Sequence, residues 1–69
     1  MYEVEYFIDI TNPVYLKIKS NYLPQSNDDV TINEKHYKVY KVEHVLQSED
    51  VQVTKERFIV TVHKKKVRW

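Results

Sequence analysis

Residues 36–46, HYKVYKVEHVL, decide the fold because their apolar positions change phase partway along the stretch. The apolar residues occupy odd positions first and even positions afterwards: Tyr37 and Val39, then Tyr40, Val42 and Leu46. Side chains of a strand alternate between its two faces, so a one-residue change of phase moves the apolar set to the other face. A bulge or sharp bend near Val39–Lys41 would restore one continuous inner face. Long strands bent by a bulge are typical of small curled sheets, and this stretch therefore predicts a small barrel.

The flanking segments alternate between apolar and polar residues with the period of two that is typical of half-buried strands. They comprise residues 2–10, 14–19, 30–32, the short run 51–53, and 58–63. The sequence therefore predicts an all-β fold, a small five-stranded antiparallel barrel or sandwich. We expect one domain over residues 1–63, followed by a basic tail, 64–69, that ends in Trp69. The predicted core consists of the apolar residues at strand period: Val4, Tyr6, Ile8, Leu16, Ile18, Ile32, Tyr37, Val39, Val42, Phe58, Val60 and Val62.

Polar stretches predict the connections, and one segment leaves an alternative open. Residues 14–22 could form a short helix with Pro13 at its first position, although Val, Tyr and Ile in its first turns favour a strand. Residues 20–29 predict a loop anchored to the core by Tyr22 and Leu23. A tight turn is expected at 33–35, where Asn33 is best able to adopt positive φ. Two more turns are expected at 47–50 and 54–57.

The length and composition limit what the chain can be. Its 69 residues include no Cys, no Gly and no Ala, so disulfides are excluded and the best helix former is missing. A domain of this size buries only about 60% of its unfolded surface, and its stability is marginal. No apolar run approaches the roughly 20 residues that span a bilayer, and residues 1–5 lack the basic head of a secretory signal. We expect a cytoplasmic protein that has no membrane partner.

Residue types that support catalysis are scarce. Without Cys or Gly there is no thiol nucleophile and no Gly-rich phosphate loop. Ser20, Ser26 and Ser48 all lie in or beside polar connections, outside any recognisable nucleophile setting. The three His residues, His36, His44 and His63, lack the close ligand spacing of zinc motifs. The sequence predicts that the protein is not an enzyme, with no catalytic, cofactor-binding or metal-binding residue.

Charge is distributed unevenly along the chain, although the net charge is only +1. Residues 1–29 hold five acids and two bases, whereas residues 30–69 hold five acids and nine bases. A basic strand with aromatic neighbours can hold single-stranded nucleic acid by stacking and phosphate pairing. Lysine is also common on exposed strands, where it blocks edge-to-edge pairing. The candidate nucleic-acid-binding residues are Lys35, His36, Lys38, Tyr40, Lys41, Lys64, Lys65, Lys66 and Arg68.

Protein recognition is the competing interpretation, and we favour it. Phe7, Tyr15 and Trp69 are aromatic residues beyond the minimal core, and interface cores are enriched in such residues. They are the candidate partner-binding residues. The predicted partner is another protein or a second copy of the chain, and a near-neutral chain suits protein contact better than polyanion contact.

The strand–turn–strand segment resembles small β-barrel proteins encoded by bacteriophages or prophages. The resemblance is carried by Val30 and Ile32, a tight turn, Tyr37-Lys38-Val39 and Val42-Glu43-His44, about 15 of 69 residues. It implies a viral protein that binds and inhibits one host macromolecule in the host cytoplasm, or a self-associating virion assembly protein. No functional residue of that family can be transferred to this chain.

Overall fold

The computed structural model describes residues 1–9 and 14–65, apart from the side chains of residues 14, 15, 53 and 54. The strands are β1 (Tyr2–Ile8), β2 (Val14–Ser20), β3 (Asp29–Ile32), β4 (Lys35–Glu49) and β5 (Gln52–Lys64). They form one sheet in the order β2-β1-β5-β4-β3. The sheet curls into a half-barrel, and the predicted small all-β fold is confirmed. Among the described residues there is no helix that could cross a membrane.

The predicted bulge is present in β4. Val39 faces Val62 and Lys41 faces Thr61, so Tyr40 is the extra residue in the pairing of β4 with β5. One extra residue shifts the alternation by one position. The side chains of Tyr37, Val39 and Val42 therefore all contribute to the inner, concave face that carries the core. Tyr40 lies on the outer face, beside His63.

The sequence predicted an antiparallel sheet, and for one strand pairing this prediction is wrong. β1 and β5 run parallel, whereas the other three pairings are antiparallel. Side chains alternate in the same way whichever direction the neighbouring strand runs, so a pattern of apolar residues does not encode direction. The first and last strands consequently lie side by side near the middle of the sheet.

The connections follow the prediction in part. Residues 14–20 are a strand, and the helical alternative is wrong. Asn33 adopts positive φ as predicted, and Glu34 does so too. The turn predicted at 47–50 is confirmed only at its last residue, because β4 continues to Glu49 and the reversal begins at Asp50, whose φ is 56°. The turn predicted at 54–57 is wrong, because β5 continues through these residues and ends one residue beyond the predicted domain limit.

The core lies on the inner face, and every buried apolar member had been predicted: Val4, Tyr6, Ile32, Tyr37, Val39, Val60 and Val62. Ile8, Leu16 and Val42 pack against this cluster with partial burial, as does Leu23 from the loop between β2 and β3. Ile18 and Phe58 are less buried than predicted.

Hydrogen bonds fasten the loop before β3 to the bulged part of β4. The Asp28 carboxylate accepts hydrogen bonds from the Gln25 backbone N–H at 2.8 Å and the Tyr22 hydroxyl at 3.0 Å. The Val39 N–H donates to the Asp28 carbonyl, and the Asn27 N–H donates to the Val39 carbonyl, both at 2.9 Å. Tyr22 was predicted to anchor the loop in the core, but its side chain is 65% exposed. Its contribution is polar, because its hydroxyl donates to a carboxylate.

Replacing Val60 by alanine tests the core. Val60 is 0% exposed and lies on the central strand β5. Removing its two methyl groups leaves a cavity, and we expect the free energy of unfolding to fall by on the order of 1–3 kcal/mol. Val51→Ala is the control, because Val51 is 97% exposed. Equal stabilities of the two variants in urea denaturation would contradict the core assignment.

Replacing Asp28 by asparagine tests the loop fastening. The hydrogen bonds from Gln25 and Tyr22 hold the pKa of Asp28 below its ordinary value of 3.8. A carboxyl whose pKa is lower in the folded state stabilises the fold above its unfolded pKa, and that contribution disappears as pH falls through the folded pKa. We expect Asp28→Asn to unfold at a lower temperature than the wild type at pH 7, with the difference shrinking below about pH 4. Asp50→Asn is the matched control, since asparagine also tolerates the positive φ of that turn. A difference in melting temperature that stays constant with pH would contradict the assignment.

Candidate functional site

The hairpin of β4 and β5 projects beyond the rest of the sheet. β1 pairs with β5 only over Phe58–Val62, and β3 pairs with β4 only over Lys35–Lys38. From the pair Val45–Arg57 to the pair Glu49–Gln52, no third strand pairs with either of them within residues 1–9 and 14–65, although Arg57 lies 3.7 Å from Glu5 of β1. We call this two-stranded extension the arm. An isolated pair of strands is at best marginally stable in water, so the arm is suited to gaining a neighbour.

Apolar and aromatic side chains remain uncovered on the inner face where the arm begins. This inner-face patch consists of Tyr2, Ile18, His44, Leu46 and Phe58. Ile18 is opposite Val4, Val4 is opposite Phe58, and Phe58 is opposite His44, which makes a continuous row across four strands. Leu46 is 52% exposed, and Tyr2 and Ile18 are exposed as well. The loop that closes the core packs Leu23 onto the other part of this face.

Ring contacts fix the middle of the inner-face patch. The Phe58 ring meets the Tyr2 ring edge to face, with centroids 5.2 Å apart. On its other side Phe58 stacks on the His44 imidazole at 4.5 Å, with an angle of 5° between the planes. The Nε2 atom of His44 also lies 2.8 Å from a Glu56 carboxylate oxygen. These contacts hold three rings in place, so a partner that binds here loses little side-chain entropy in ordering them.

Of the three predicted partner-binding side chains, the structure describes that of Phe7, and it lies outside this patch. Phe7 is half-buried on the outer face, opposite Thr61 of β5. Tyr15 belongs to β2, but its side chain lies outside the described residues, as does Trp69. The patch instead uses residues that the sequence assigned to the core, Ile18 and Phe58, or to the surface, His44. The alternation in the sequence shows that these residues share the inner face of the sheet. It does not show where the neighbouring strands end.

Some of the predicted nucleic-acid-binding residues do come together beside the end of β5. Lys38, Tyr40, Lys64 and Lys65 line a shallow depression of about 350 Å³ together with His63. We call it the basic depression. The Tyr40 and His63 rings lie 4.8 Å apart, and His63 was missed by the sequence analysis as a member of this group. Lys35 lies at the tight turn beside β3, and Lys66 and Arg68 lie outside the described residues.

Carboxylates accompany several cations of the outer face. Lys41 lies 3.2 Å from Glu43 and Lys65 lies 3.3 Å from Asp29, while the His63 imidazole lies within hydrogen-bond distance, 2.9 Å, of the Asp9 carboxylate. His36 instead contacts the Thr31 hydroxyl. These ion pairs lower the positive potential that the same cations would otherwise present to a phosphate backbone. Within the described part of the chain, no group of three or more His, Asp or Glu residues is arranged to hold a metal ion.

Similarity to known proteins does not indicate what the inner-face patch or the basic depression binds. Comparison with protein-family models, curated proteins and solved structures finds no match to the chain. The function is therefore argued from the inner-face patch and the basic depression themselves.

Proposed function

We propose that this protein is a non-enzymatic interaction module that binds a protein partner through the inner-face patch. The observation that carries the proposal is the ring assembly of Tyr2, Phe58 and His44, in which Phe58 is half-buried and the other two rings are exposed. Exposed Leu46 and Ile18 flank it. Contiguous apolar surface that stays exposed in a small protein marks an interaction site. Ordered aromatic anchors supply much of the binding energy at protein interfaces.

The charges beside the patch favour a protein over a nucleic acid at this position. None of the five patch residues is a lysine or arginine, and the Glu56 carboxylate lies at its rim beside His44. A phosphate backbone needs cations at such a surface, whereas Glu56 adds a negative charge. The complementary partner is an apolar protein surface that places a lysine, arginine or hydrogen-bond donor opposite Glu56.

The resemblance to small phage barrels supports a more specific form of the proposal. In that form the chain acts in the host cytoplasm and inhibits the host protein that it binds. A self-associating assembly protein is the alternative that the same resemblance supports. Both act by binding, and neither requires a catalytic group.

Replacing Leu46 by glutamate tests the patch. Wild-type and variant proteins are immobilised, exposed to nuclease-treated lysate, and the retained protein is identified and titrated in purified form. We expect Leu46→Glu to weaken its binding by about tenfold or more, because a charge would be buried against an apolar surface. Val51→Glu is the matched control, since Val51 is an exposed apolar residue at the tip of the arm, away from the patch. Equal effects of the two substitutions, or no effect of Leu46→Glu, would contradict the proposal.

Nucleic-acid binding at the basic depression is the second candidate, favoured by the position of Tyr40 among Lys38, Lys64 and Lys65. Tyr40 is 51% exposed and offers a ring for base stacking.

A salt titration tests this second function. Labelled single-stranded DNA and RNA should bind at low salt, lose affinity steeply as salt rises, and bind Lys38→Glu more weakly than the wild type. Lys55→Glu is the control, because Lys55 pairs with Gln47 on the arm. The absence of binding at low salt would eliminate this function.

A further inference from the structure

The outer edge of β2 has no neighbouring strand among the described residues. β2 is the terminal strand of the sheet, and its pairing with β1 is regular from Leu16 to Ser20. The Ser20 hydroxyl ends this stretch, because it donates to the Tyr22 carbonyl at 2.8 Å and accepts from the Tyr22 N–H at 3.0 Å. Residues Leu16–Lys19 make no hydrogen bond with a described residue outside their pairing with β1. We call Leu16–Lys19 the β2 edge.

The side chains of the β2 edge divide between the two faces of the sheet. Leu16 and Ile18 lie on the inner face, where Leu16 packs against the core and Ile18 is 37% exposed. Ile18 is the last residue of the row that crosses the inner-face patch through Val4. Lys17 and Lys19 lie on the outer face, and both are exposed. A strand added at this edge would therefore continue the apolar row on one face and meet two cations on the other.

Both lysines are available to a partner. Lys17 is opposite Glu5 and Lys19 is opposite Glu3, yet neither lysine forms an ion pair with a described residue. Glu5 instead lies 3.7 Å from the Nε atom of Arg57. A residue on an added strand would have its Cβ atom roughly 5 Å from that of the lysine opposite, whereas β1 would be two strand spacings, about 10 Å, away. Physiological salt screens charges beyond about 8 Å, so the nearer lysine determines which side chain fits.

A second copy of the chain does not fit the β2 edge. Two identical edges related by a twofold axis pair antiparallel. With Ile18 on the axis, Lys17 would lie opposite Lys19 of the partner subunit, and this like-charge pair would occur twice. A shift by two residues in either direction places one of the lysines opposite its own symmetry mate. Like charges directly opposite each other destabilise a strand pair, so the occupant that fits is a different chain with acidic side chains.

We propose that the β2 edge binds an extended strand of the partner protein in which two acidic residues flank one apolar residue. The acidic side chains lie opposite Lys17 and Lys19, and the apolar side chain packs beside Ile18. This pattern fits in both strand directions, because it is symmetric about its central residue. Main-chain hydrogen bonds supply affinity in this mode of recognition, and the alternating side chains supply specificity. The inference rests on the proposed function, since Ile18 belongs to the inner-face patch as well, and it specifies the kind of partner.

Amide exchange in the presence of a synthetic peptide tests the strand addition. The probe is a short blocked peptide in which glutamate alternates with valine, and the same peptide with lysine in place of glutamate is its control. We expect the glutamate peptide at millimolar concentration to slow the solvent exchange of the outward-facing amides of β2 in NMR spectra, because an added strand accepts hydrogen bonds from them. It should bind about fivefold more tightly than the lysine peptide. Unchanged exchange in β2, or equal binding of the two peptides, would overturn the proposal.

Substitution of the two lysines locates the peptide on β2. The double variant Lys17→Gln and Lys19→Gln loses both cations without placing a like charge opposite Glu3 or Glu5. We expect it to bind the glutamate peptide about fivefold more weakly than the wild type and to lose the preference over the lysine peptide. Lys35→Gln is the matched control, because Lys35 is an exposed lysine that pairs with β3 at the opposite side of the sheet. Equal losses in the two variants, or no loss in the double variant, would overturn the assignment to the β2 edge.

The Leu46→Glu variant separates this proposal from the proposed function. Leu46 lies on β4, at the other end of the patch from Ile18, so the glutamate peptide should bind Leu46→Glu as it binds the wild type. If Leu46→Glu weakens binding of the protein retained from lysate and the double lysine variant does not, the strand addition is overturned and the proposed function stands. If neither variant weakens that binding, the proposed function itself is contradicted.

Discussion

The extra residue at Tyr40 in the pairing of β4 with β5 is the constraint on which the other features depend. Without it, Val39 and Val42 would face opposite sides of the sheet, and the inner face would lose one of its most buried side chains. The same position receives the loop, because the Val39 backbone exchanges hydrogen bonds with Asn27 and Asp28. β3 pairs with β4 only over Lys35–Lys38. The bulge therefore lies where β3 and its loop stop pairing with β4.

The chain makes its turns without glycine. Positive φ angles occur at Asp9, Asn27, Asn33, Glu34 and Asp50. Asparagine and aspartate tolerate the left-handed region because their side chains can hydrogen-bond locally. Glu34, at a φ of 67°, lacks that advantage and adds strain of about 1–2 kcal/mol to the tight turn. The free energy gained by burying the core has to offset this strain. The central valines, which are almost completely buried, contribute to that gain.

The sequence predicted those parts of the structure that depend on alternation. The phase change located the bulge at Val39–Lys41, and period-two positions identified the buried core. The alternation of apolar and polar residues carries no information about strand direction, so the parallel pairing of β1 with β5 was not predicted. The run 54–57 resembled a turn because Lys55, Glu56 and Arg57 are polar on both faces, as expected where a two-stranded arm is solvated on both sides. The inner-face patch escaped prediction because exposure of Phe58 and Leu46 depends on where other strands end, which no local pattern records.

The parallel pairing of the first strand with the last has a consequence for how the chain acquires its fold during synthesis. β1 is synthesised before β2, β3 and β4, and its neighbour β5 follows all of them. Until β5 is made, only the local hairpins of β1 with β2 and of β3 with β4 can form, and one edge of β1 stays open. Bringing such distant segments together requires the loss of loop-closure entropy before the contacts form, and proteins dominated by non-local pairings fold slowly. The centre of this sheet therefore cannot form until β5 has been synthesised.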